Sequence, residues 1–203
     1  NYLIAQGREW ERYAWIKARV MNEADNLQPH WRDALEKIAR PFIFRKYLDF
    51  GSINAMRDLH AQIRREVARK DMAEHIKLGP GGIREIEFMA QVFQLIRGGR
   101  DPALQIRPTL KVLPLLVARR LLPEDSEREL VEAYEFLRTL EHRLQYVNDA
   151  QTHTLPDGDD ERRLIARSMD FADWPSFYAV LDGHRQRVAR HFGEIFSDPE
   201  AGT

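Results

Sequence analysis

Apolar residues along most of the chain recur every three or four positions, which is the spacing of one face of an α-helix. No stretch shows the sustained apolar and polar alternation of a half-buried β-strand. The pattern predicts an all-α fold, a helical bundle, with at most one short extended segment near residues 75–79. We expect two regions, residues 1–70 and residues 71–203.

The first region is predicted to hold four helices. Pro41 is expected to end the second of them, because proline cannot donate the backbone hydrogen bond that continues a helix. Trp10 should lie on the apolar side of the first helix. The predicted ranges are residues 2–21, 29–39, 42–48 and 52–70.

The second region opens with a glycine-rich passage and continues as helices. One helix is expected to follow the glycines and end near Gly98, and another to span residues 108–120. Ser126 and Glu129 have capping-box spacing, so the next helix is predicted to begin at Ser126. Its apolar residues repeat at three and four, which predicts a buried seam formed by Leu130, Ala133, Leu137, Leu140, Leu144 and Val147.

The last part of the chain is predicted to form a loop and two helices. Turn-forming residues mark positions 151–160 as the loop, and a short helix should reach Met169. Asp173 is suited to cap the final helix, with Pro175 in its first turn. One face of that helix carries Phe177, Leu181, His184, Val188 and Ile195.

Composition narrows the class of protein. The 203 residues are 43% hydrophobic and 31% charged, with a formal net charge of -1 and no cysteine. This balance argues against a nucleic-acid partner, and the lack of cysteine excludes a disulfide framework. No apolar run approaches the length of a membrane span, so no membrane partner is expected. Because the chain opens at Asn1 inside a helical pattern, we expect it to be an internal part of a longer protein.

The glycine passage is the best candidate for chemistry. Glycine lets a ligand approach the backbone closely, and the N-terminus of a helix favours phosphate. Lys77 precedes Gly81 and Gly82, and Arg84 follows them, which puts two cations near an anion site. A plain turn with solvated cations is the simpler interpretation, and the spacing alone favours it.

The helix after the glycines concentrates its polar side chains in one narrow arc. Glu87 belongs to this arc, whereas Glu85 lies among the apolar residues. Because a buried carboxylate needs partners, Glu85 is either a first-turn cap or a functional acid. The polar arc consists of Arg84, Glu87, Gln91 and Gln94.

Other charged residues give weaker signals. Arg12, Lys17 and Arg19 lie on the first predicted helix, where a solvated face is the simplest interpretation. His184 and His191 share a helix face, but two histidines without a nearby carboxylate make a poor metal site. We therefore predict no metal site in this chain.

Three stretches resemble the glutamine synthetase adenylyltransferase family. The first reads GREWERYA and runs into Ile16–Arg19, the second reads IKLGPGGIREIEF and continues to Arg100, and the third spans residues 136–156. Residues 169–174 also fit. The resemblance covers essentially the whole chain in order.

The resemblance implies an enzyme with two homologous halves, each pairing a nucleotidyltransferase core with a helical domain. One half attaches AMP from ATP to a tyrosine of glutamine synthetase, and the other removes it by phosphorolysis and releases ADP. The uninterrupted run from Lys77 to Arg100 is similar to the removing half. Magnesium, ATP and ADP are implied for the intact enzyme, which regulates nitrogen assimilation. Glutamine synthetase, the PII signal protein and the core domain are implied as partners, in the cytoplasm, and residues 1–70 are expected to follow the core and pack on it.

The family's reaction needs a Gly-Ser turn followed by an Asp-x-Asp pair that holds magnesium, and Gly51-Ser52 lacks that pair. We therefore expect this chain to be inactive alone and to bind no cofactor by itself. Within the resembling motif, Lys77, Gly81, Gly82 and Arg84 are expected to face phosphate. Glu85 and Glu87 are expected to orient cations or a metal-bound water, and Arg12, Lys17 and Arg19 are second choices.

Two alternatives remain open from the sequence. The domain can serve as a docking module for glutamine synthetase or PII, with all the chemistry performed elsewhere. It can also be the helical domain of a PII uridylyltransferase, a family that shares the shorter K-x-x-G-G-[IL]-R-[DE] core.

Overall fold

A computed structural model describes residues 2, 6–19, 30–45, 58, 61–62, 65, 72–148 and 152–196. Across these ranges the structure is helical and no residue belongs to a β-strand, which confirms the predicted all-α fold. The described helices are α1 (Glu9–Lys17), α2 (His30–Ile43), α3 (Ile83–Arg97), a 3-10 helix (Pro102–Leu104), α4 (Thr109–Ala118), α5 (Glu124–Asn148), α6 (Asp159–Ser168) and α7 (Trp174–Phe196).

The chain divides into two compact units. The first comprises Asn1–His60 with Ala90–Leu121, and the second comprises Ala61–Met89 with Leu122–Thr203. Each unit therefore consists of two separate stretches of sequence, whereas the sequence predicted two continuous regions with a single boundary at residue 70. That residues 1–70 pack on a nucleotidyltransferase core stays a prediction.

In the first unit, α1 packs on α2 through buried apolar residues that include Tyr13, Ile16 and Phe42. Helix α1 is shorter than predicted, because Gly7 and Arg8 are not helical and Lys17 is its last residue. The Glu11 carboxylate accepts from the Arg8 backbone N–H at 2.7 Å and so closes the start of α1. Trp10 is exposed, which corrects the expectation of a core contact.

Helix α2 runs through Pro41, so the prediction that proline ends it was wrong. Pro41 lies in the last turn, where its missing N–H costs α2 a single bond to a preceding carbonyl, and Phe42 and Ile43 remain helical. The buried Arg12 guanidinium donates from Nε and Nη2 to the Ile43 carbonyl, at 3.1 and 2.7 Å. Phe44 and Arg45 are not helical, so no separate helix begins at Phe42 as predicted. Residues 46–48 and most of the predicted 52–70 helix lie outside the described residues.

In the second unit, α5, α6 and α7 pack on one another. The seam predicted along α5 is buried from Leu130 to Leu144, and Val147 lies outside the described side chains. Helix α5 begins at Glu124, two residues before the predicted start, because Pro123 precedes it and its carbonyl accepts from the Glu127 N–H. Asp173 caps α7 as predicted, accepting from the Ser176 N–H at 2.8 Å.

The glycine passage runs beside the segment that precedes α6. His75 and Thr154 form an isolated antiparallel bridge, and the Ile76 N–H donates to the His153 carbonyl at 2.8 Å. Of the extended segment that the sequence allows near residues 75–79, only His75 pairs in this way, since residues 76–79 form turns and a bend. The bridge holds the start of the passage against residues 152–155.

Gly81 has φ +69° and packs on the backbone of α7, where a Cβ would lie 2.1 Å from the Arg185 carbonyl oxygen. We expect Gly81→Ala to lower the free energy of unfolding by about 2 kcal/mol or more, because it adds both backbone strain and a backbone clash. Urea denaturation measures this change.

Gly193→Ala is the matched control, since a Cβ there would meet nothing within 4 Å on the exposed side of α7. It should raise the free energy of unfolding by roughly 0.5–1 kcal/mol, as expected for alanine replacing glycine in a helix. Equal effects of the two substitutions would contradict the packing described for Gly81.

Candidate functional site

The glycine turn is buried within the second unit. Gly79, Gly81 and Gly82 are all buried, and Gly79 lies against the carbonyls of Ala73 and His75. Arg185 on α7 donates from Nε to the Pro80 carbonyl at 3.0 Å and from Nη2 to the Ala73 carbonyl. The turn is therefore fixed by contacts with the bundle.

The backbone N–H groups of the turn are already used by protein acceptors. Gly82, Ile83, Arg84 and Glu85 donate to carbonyls of the passage itself, at 3.0–3.1 Å. The Gly81 N–H donates to the Glu85 carboxylate at 3.0 Å. These donors are the ones a helix N-terminus would offer to phosphate. Anion binding at this place must therefore come from side chains.

Glu85 is buried, and its carboxylate accepts the Gly81 N–H one turn earlier in the chain. This is the cap interaction that the sequence offered as one of two alternatives for Glu85. The carboxylate also lies at the N-terminal end of α3, where the helix dipole favours negative charge. Its contact helps to hold the turn closed over the start of α3.

A buried carboxylate on α5 collects the cations near the turn. Glu141 is almost fully buried, and its Oε1 lies 3.2 Å from Lys77 Nζ. Its Oε2 accepts from Arg138 Nη1. His153 Nδ1 lies 3.3 Å from Oε1 but makes no hydrogen bond with it. Lys77 thus lies in a cluster with Arg138, Glu141 and His153.

His75 adjoins this cluster, with its ring centroid 5.4 Å from that of His153. Burial lowers the pKa of His75, and the neighbouring His153 and Lys77 lower it further, while Glu141 opposes them. Burial also lowers the pKa of His153, together with Lys77 and Arg138 and against Glu141. His75 Nδ1 accepts the backbone N–H of Leu78 at 3.1 Å, so the neutral imidazole is part of the turn.

The polar arc of α3 reaches α5 through Glu87. Arg84 is half exposed and pairs with Glu87 at 3.4 Å. Glu87 in turn accepts from the Tyr134 hydroxyl at 3.3 Å. Tyr134 precedes Arg138 by one helical turn, so this pair lies along the same helix as the Glu141 cluster. Gln91 and Gln94, the rest of the arc, are buried.

The three second-choice cations lie in the first unit. Arg12 is fully buried against the end of α2, and Lys17 donates to the Arg107 carbonyl and to the Thr109 hydroxyl. Arg19 is exposed and lines a groove of about 810 Å³. Trp15 and Phe44 contribute aromatic walls to this groove, whose other residues include Ile43, Arg40, Arg107 and Glu36.

Within the described ranges, no three histidine, aspartate or glutamate side chains are placed to hold a metal ion. These residues therefore do not by themselves fit the magnesium that the resemblance implies for the intact enzyme.

Sequence reasoning missed Tyr134, Arg138, Glu141 and His153 as parts of the site. Glu141 gave one signal, because it follows Leu137 by four positions and precedes Leu144 by three, which puts a carboxylate on the apolar seam. Its partner Lys77 lies 64 positions away, and no local pattern predicts that contact.

Comparison with known proteins gives the class of the helical region. A family model described as GlnD PII-uridylyltransferase matches residues 57–196. This range includes the glycine turn, α3 and the whole α5–α7 bundle. The helical region is therefore a domain of the class that this model describes.

Proteins that are similar to nearly the whole chain share a second name, different from that of the family model. The chain is 65% identical over 199 residues to the bifunctional glutamine synthetase adenylyltransferase/adenylyl-removing enzyme of Aromatoleum aromaticum, covering 98% of this chain and 21% of that protein. It is 58% identical over 200 residues to the enzyme of the same name from Chromobacterium violaceum, covering 98% of this chain and 22% of that protein. It is 50% identical over 203 residues to that of Neisseria meningitidis, covering 100% of this chain and 22% of that protein.

The chain belongs to the family of these bifunctional adenylyltransferase/adenylyl-removing enzymes, and its helical region shares a family model with the PII-uridylyltransferases. It spans about a fifth of the length of the relatives it matches. None of the helices in the described ranges has both the length and the apolar character that crossing a bilayer requires.

The lowered pKa values of His75 and His153 predict a pH-dependent stability. Each imidazole binds a proton less readily in the folded chain than in the unfolded chain, whose histidine pKa is about 6.5. The free energy of unfolding should therefore fall as the pH drops through about 6.5 towards the lowered values. Urea denaturation at intervals from pH 8 to pH 5 measures this slope.

The variant His153→Gln should flatten that slope in part, because it removes one of the three described histidines whose pKa is lowered, the third being the buried His184, while keeping a polar side chain. Glu129 also has a lowered pKa, so its protonation lowers the free energy of unfolding as well. That loss begins only below about pH 4.5, outside the range of this measurement. A variant slope equal to that of the parent chain would show that His153 is not responsible.

Proposed function

We propose that this chain is the helical part of the adenylyl-removing half of a bifunctional glutamine synthetase adenylyltransferase. The observation that carries the proposal is the 65% identity along nearly the whole chain to an enzyme of that name. The uninterrupted run from Lys77 to Arg100, which resembles the removing half, supports the finer assignment.

The proposed reaction removes AMP from a tyrosine of glutamine synthetase by phosphorolysis. An oxygen of hydrogen phosphate attacks the phosphorus of the AMP group and forms the new P–O bond of ADP. The bond between that phosphorus and the tyrosine oxygen breaks, and the tyrosine oxygen takes up the proton that the hydrogen phosphate carried. The reacting groups are anionic throughout, so cations near them lower the barrier.

Lys77 and Arg84 are our first candidates to supply that charge. Both cations are partly exposed, and the Arg84 N–H donates to the Lys77 carbonyl at 3.0 Å, which ties their backbones together. Gly81 and Gly82 would act through the shape of the turn, since their N–H groups already have acceptors. Glu87 would orient Arg84, and Glu85 would hold the turn.

Arg12, Lys17 and Arg19 remain second candidates. The hydrogen bonds of Arg12 and Lys17 to backbone carbonyls support a structural part for both side chains. Arg19 is exposed at the groove and is the better placed of the three to meet a ligand.

The remaining features of the intact enzyme are carried into the proposal from its family. We propose that catalysis needs magnesium and ATP or ADP bound by a nucleotidyltransferase core with a Gly-Ser turn and an Asp-x-Asp pair. This chain contains no such combination and would be inactive alone. Glutamine synthetase and the PII signal protein are the proposed partners, in the cytoplasm.

A docking role is the second candidate function, and the groove of the first unit favours it. Three arginines and one glutamate line this groove, together with aromatic and aliphatic side chains. Such a surface suits an acidic protein partner. Capture of glutamine synthetase or PII by the chain, together with full activity of an Arg84→Ala enzyme, would favour docking over catalysis.

Arg84→Ala in the full-length enzyme should lower the rate of AMP removal by about tenfold or more, equivalent to about 1.4 kcal/mol, with little effect on folding. The reason is the loss of a cation that stabilises phosphate charge. The measurement is release of AMP from adenylylated glutamine synthetase as ADP, with thermal unfolding followed in parallel.

Arg128→Ala is the matched control for this test. Arg128 forms a similar exposed pair with an acid three residues away, Asp125, at 2.8 Å and far from the glycine turn in sequence. It should leave the rate unchanged. A full rate in the Arg84→Ala enzyme would remove Arg84 from the site.

A further inference from the structure

In the cluster of Lys77, Arg138, Glu141 and His153, the carboxylate is buried and the two cations are partly exposed. The Glu141 side chain is 3% exposed, whereas Lys77 and Arg138 are 35% and 39% exposed. One carboxylate thus serves two cations, and the cluster carries a positive excess while His153 is neutral. Because the negative group is buried beneath the positive ones, solvent meets the cations first.

This arrangement differs from that of an ion pair that only stabilises the bundle. A single cation would neutralise Glu141, and burying a charge requires close partners but not a surplus of them. The second cation adds nothing to charge balance and leaves one positive charge towards solvent. Such a surplus is a source of affinity for anions.

The two cations come from elements that the turn holds together. Lys77 lies at the start of the glycine passage, where the Ile76 N–H is bonded to the His153 carbonyl. Arg138 lies on α5, one turn beyond Tyr134, which bonds Glu87. Arg84 is joined to Glu87 and, through its backbone, to Lys77. The cations of the cluster and Arg84 therefore share one network of contacts.

We propose that Arg138 and Lys77 form a paired site for a phosphate group and that Glu141 is its positioning residue. This inference rests on the proposed phosphorolysis, in which the group is either inorganic phosphate or the phosphate of the AMP on tyrosine. An arginine presents several N–H donors in a plane and a lysine a compact charge, so together they can hold two oxygens of one phosphate. Glu141 fixes the two side chains before the anion arrives.

Steady-state kinetics of the full-length enzyme test the proposal. Arg138→Ala should raise the KM for inorganic phosphate, or the KM for adenylylated glutamine synthetase, by about tenfold. The substrate whose KM rises identifies which phosphate the pair binds. Arg138→Lys should restore part of the loss, because it keeps the charge without the planar donors.

Glu141→Gln tests the positioning role. It keeps the size of the side chain and removes its charge, so Lys77 and Arg138 lose their fixed partner. We expect a rise in the same KM as for Arg138→Ala, but smaller, by roughly threefold. A merely structural Glu141 would lower the temperature of unfolding and leave both KM values unchanged, which would overturn the positioning role.

Arg143→Ala is the control on the same helix, since Arg143 is exposed and lies outside the cluster. Equilibrium binding of ADP to the full-length enzyme gives a second readout that needs no turnover. Weakened ADP binding or a raised KM in Arg138→Ala, with Arg143→Ala like the parent enzyme, supports the site. Unchanged KM values and ADP binding in Arg138→Ala overturn it.

The two proposals fail in different ways. If Arg84→Ala impairs AMP removal while Arg138→Ala does not, the paired site is wrong and the proposed function stands. If the parent enzyme removes no AMP but Arg138→Ala still weakens ADP binding, the proposed function is wrong and the phosphate site stands.

Discussion

The close approach of Gly81 to the backbone of α7 determines the rest of the candidate site. With a Cβ excluded at this position, the turn lies directly on Arg185, and the start of α3 is directed accordingly. The carbonyls of the passage then accept the first N–H groups of α3, and Glu85 accepts the Gly81 N–H. The cations beside the turn are consequently presented from a fixed backbone, as binding groups need to be.

The helices with strong local patterns could be predicted, because the spacing of their apolar residues involves only positions close together in the sequence. The buried seam of α5 and the Asp173 cap of α7 are examples. The predicted break at Pro41 was wrong because Pro41 lies in the last turn of α2, where little helix follows it. In addition, the Arg12 guanidinium donates to the Ile43 carbonyl, 31 positions later in the chain. The predicted start at Ser126 failed because Pro123 lets α5 begin earlier.

The candidate site could be predicted only in part, for the same reason. Lys77, Glu85 and Arg84 stand in one motif, so their proximity follows from sequence. Whether the turn offered open N–H groups depended on which carbonyls reached them, which no spacing reveals. The partners of Lys77 on α5 are distant in sequence. Among them, only Glu141 gave a signal in the sequence, as a carboxylate on an apolar seam. The proposed reaction comes from the family resemblance, whereas the contacts of Lys77 with α5 come from the structure.

The isolated bridge between His75 and Thr154 has a consequence for how the protein is made. During synthesis the glycine passage leaves the ribosome before α5, residues 152–155 and α7 exist, and each of these supplies a contact that shapes it. Contacts between distant residues must also overcome the entropy of closing a long loop. The surface proposed to bind phosphate therefore cannot be completed until translation has passed Arg185.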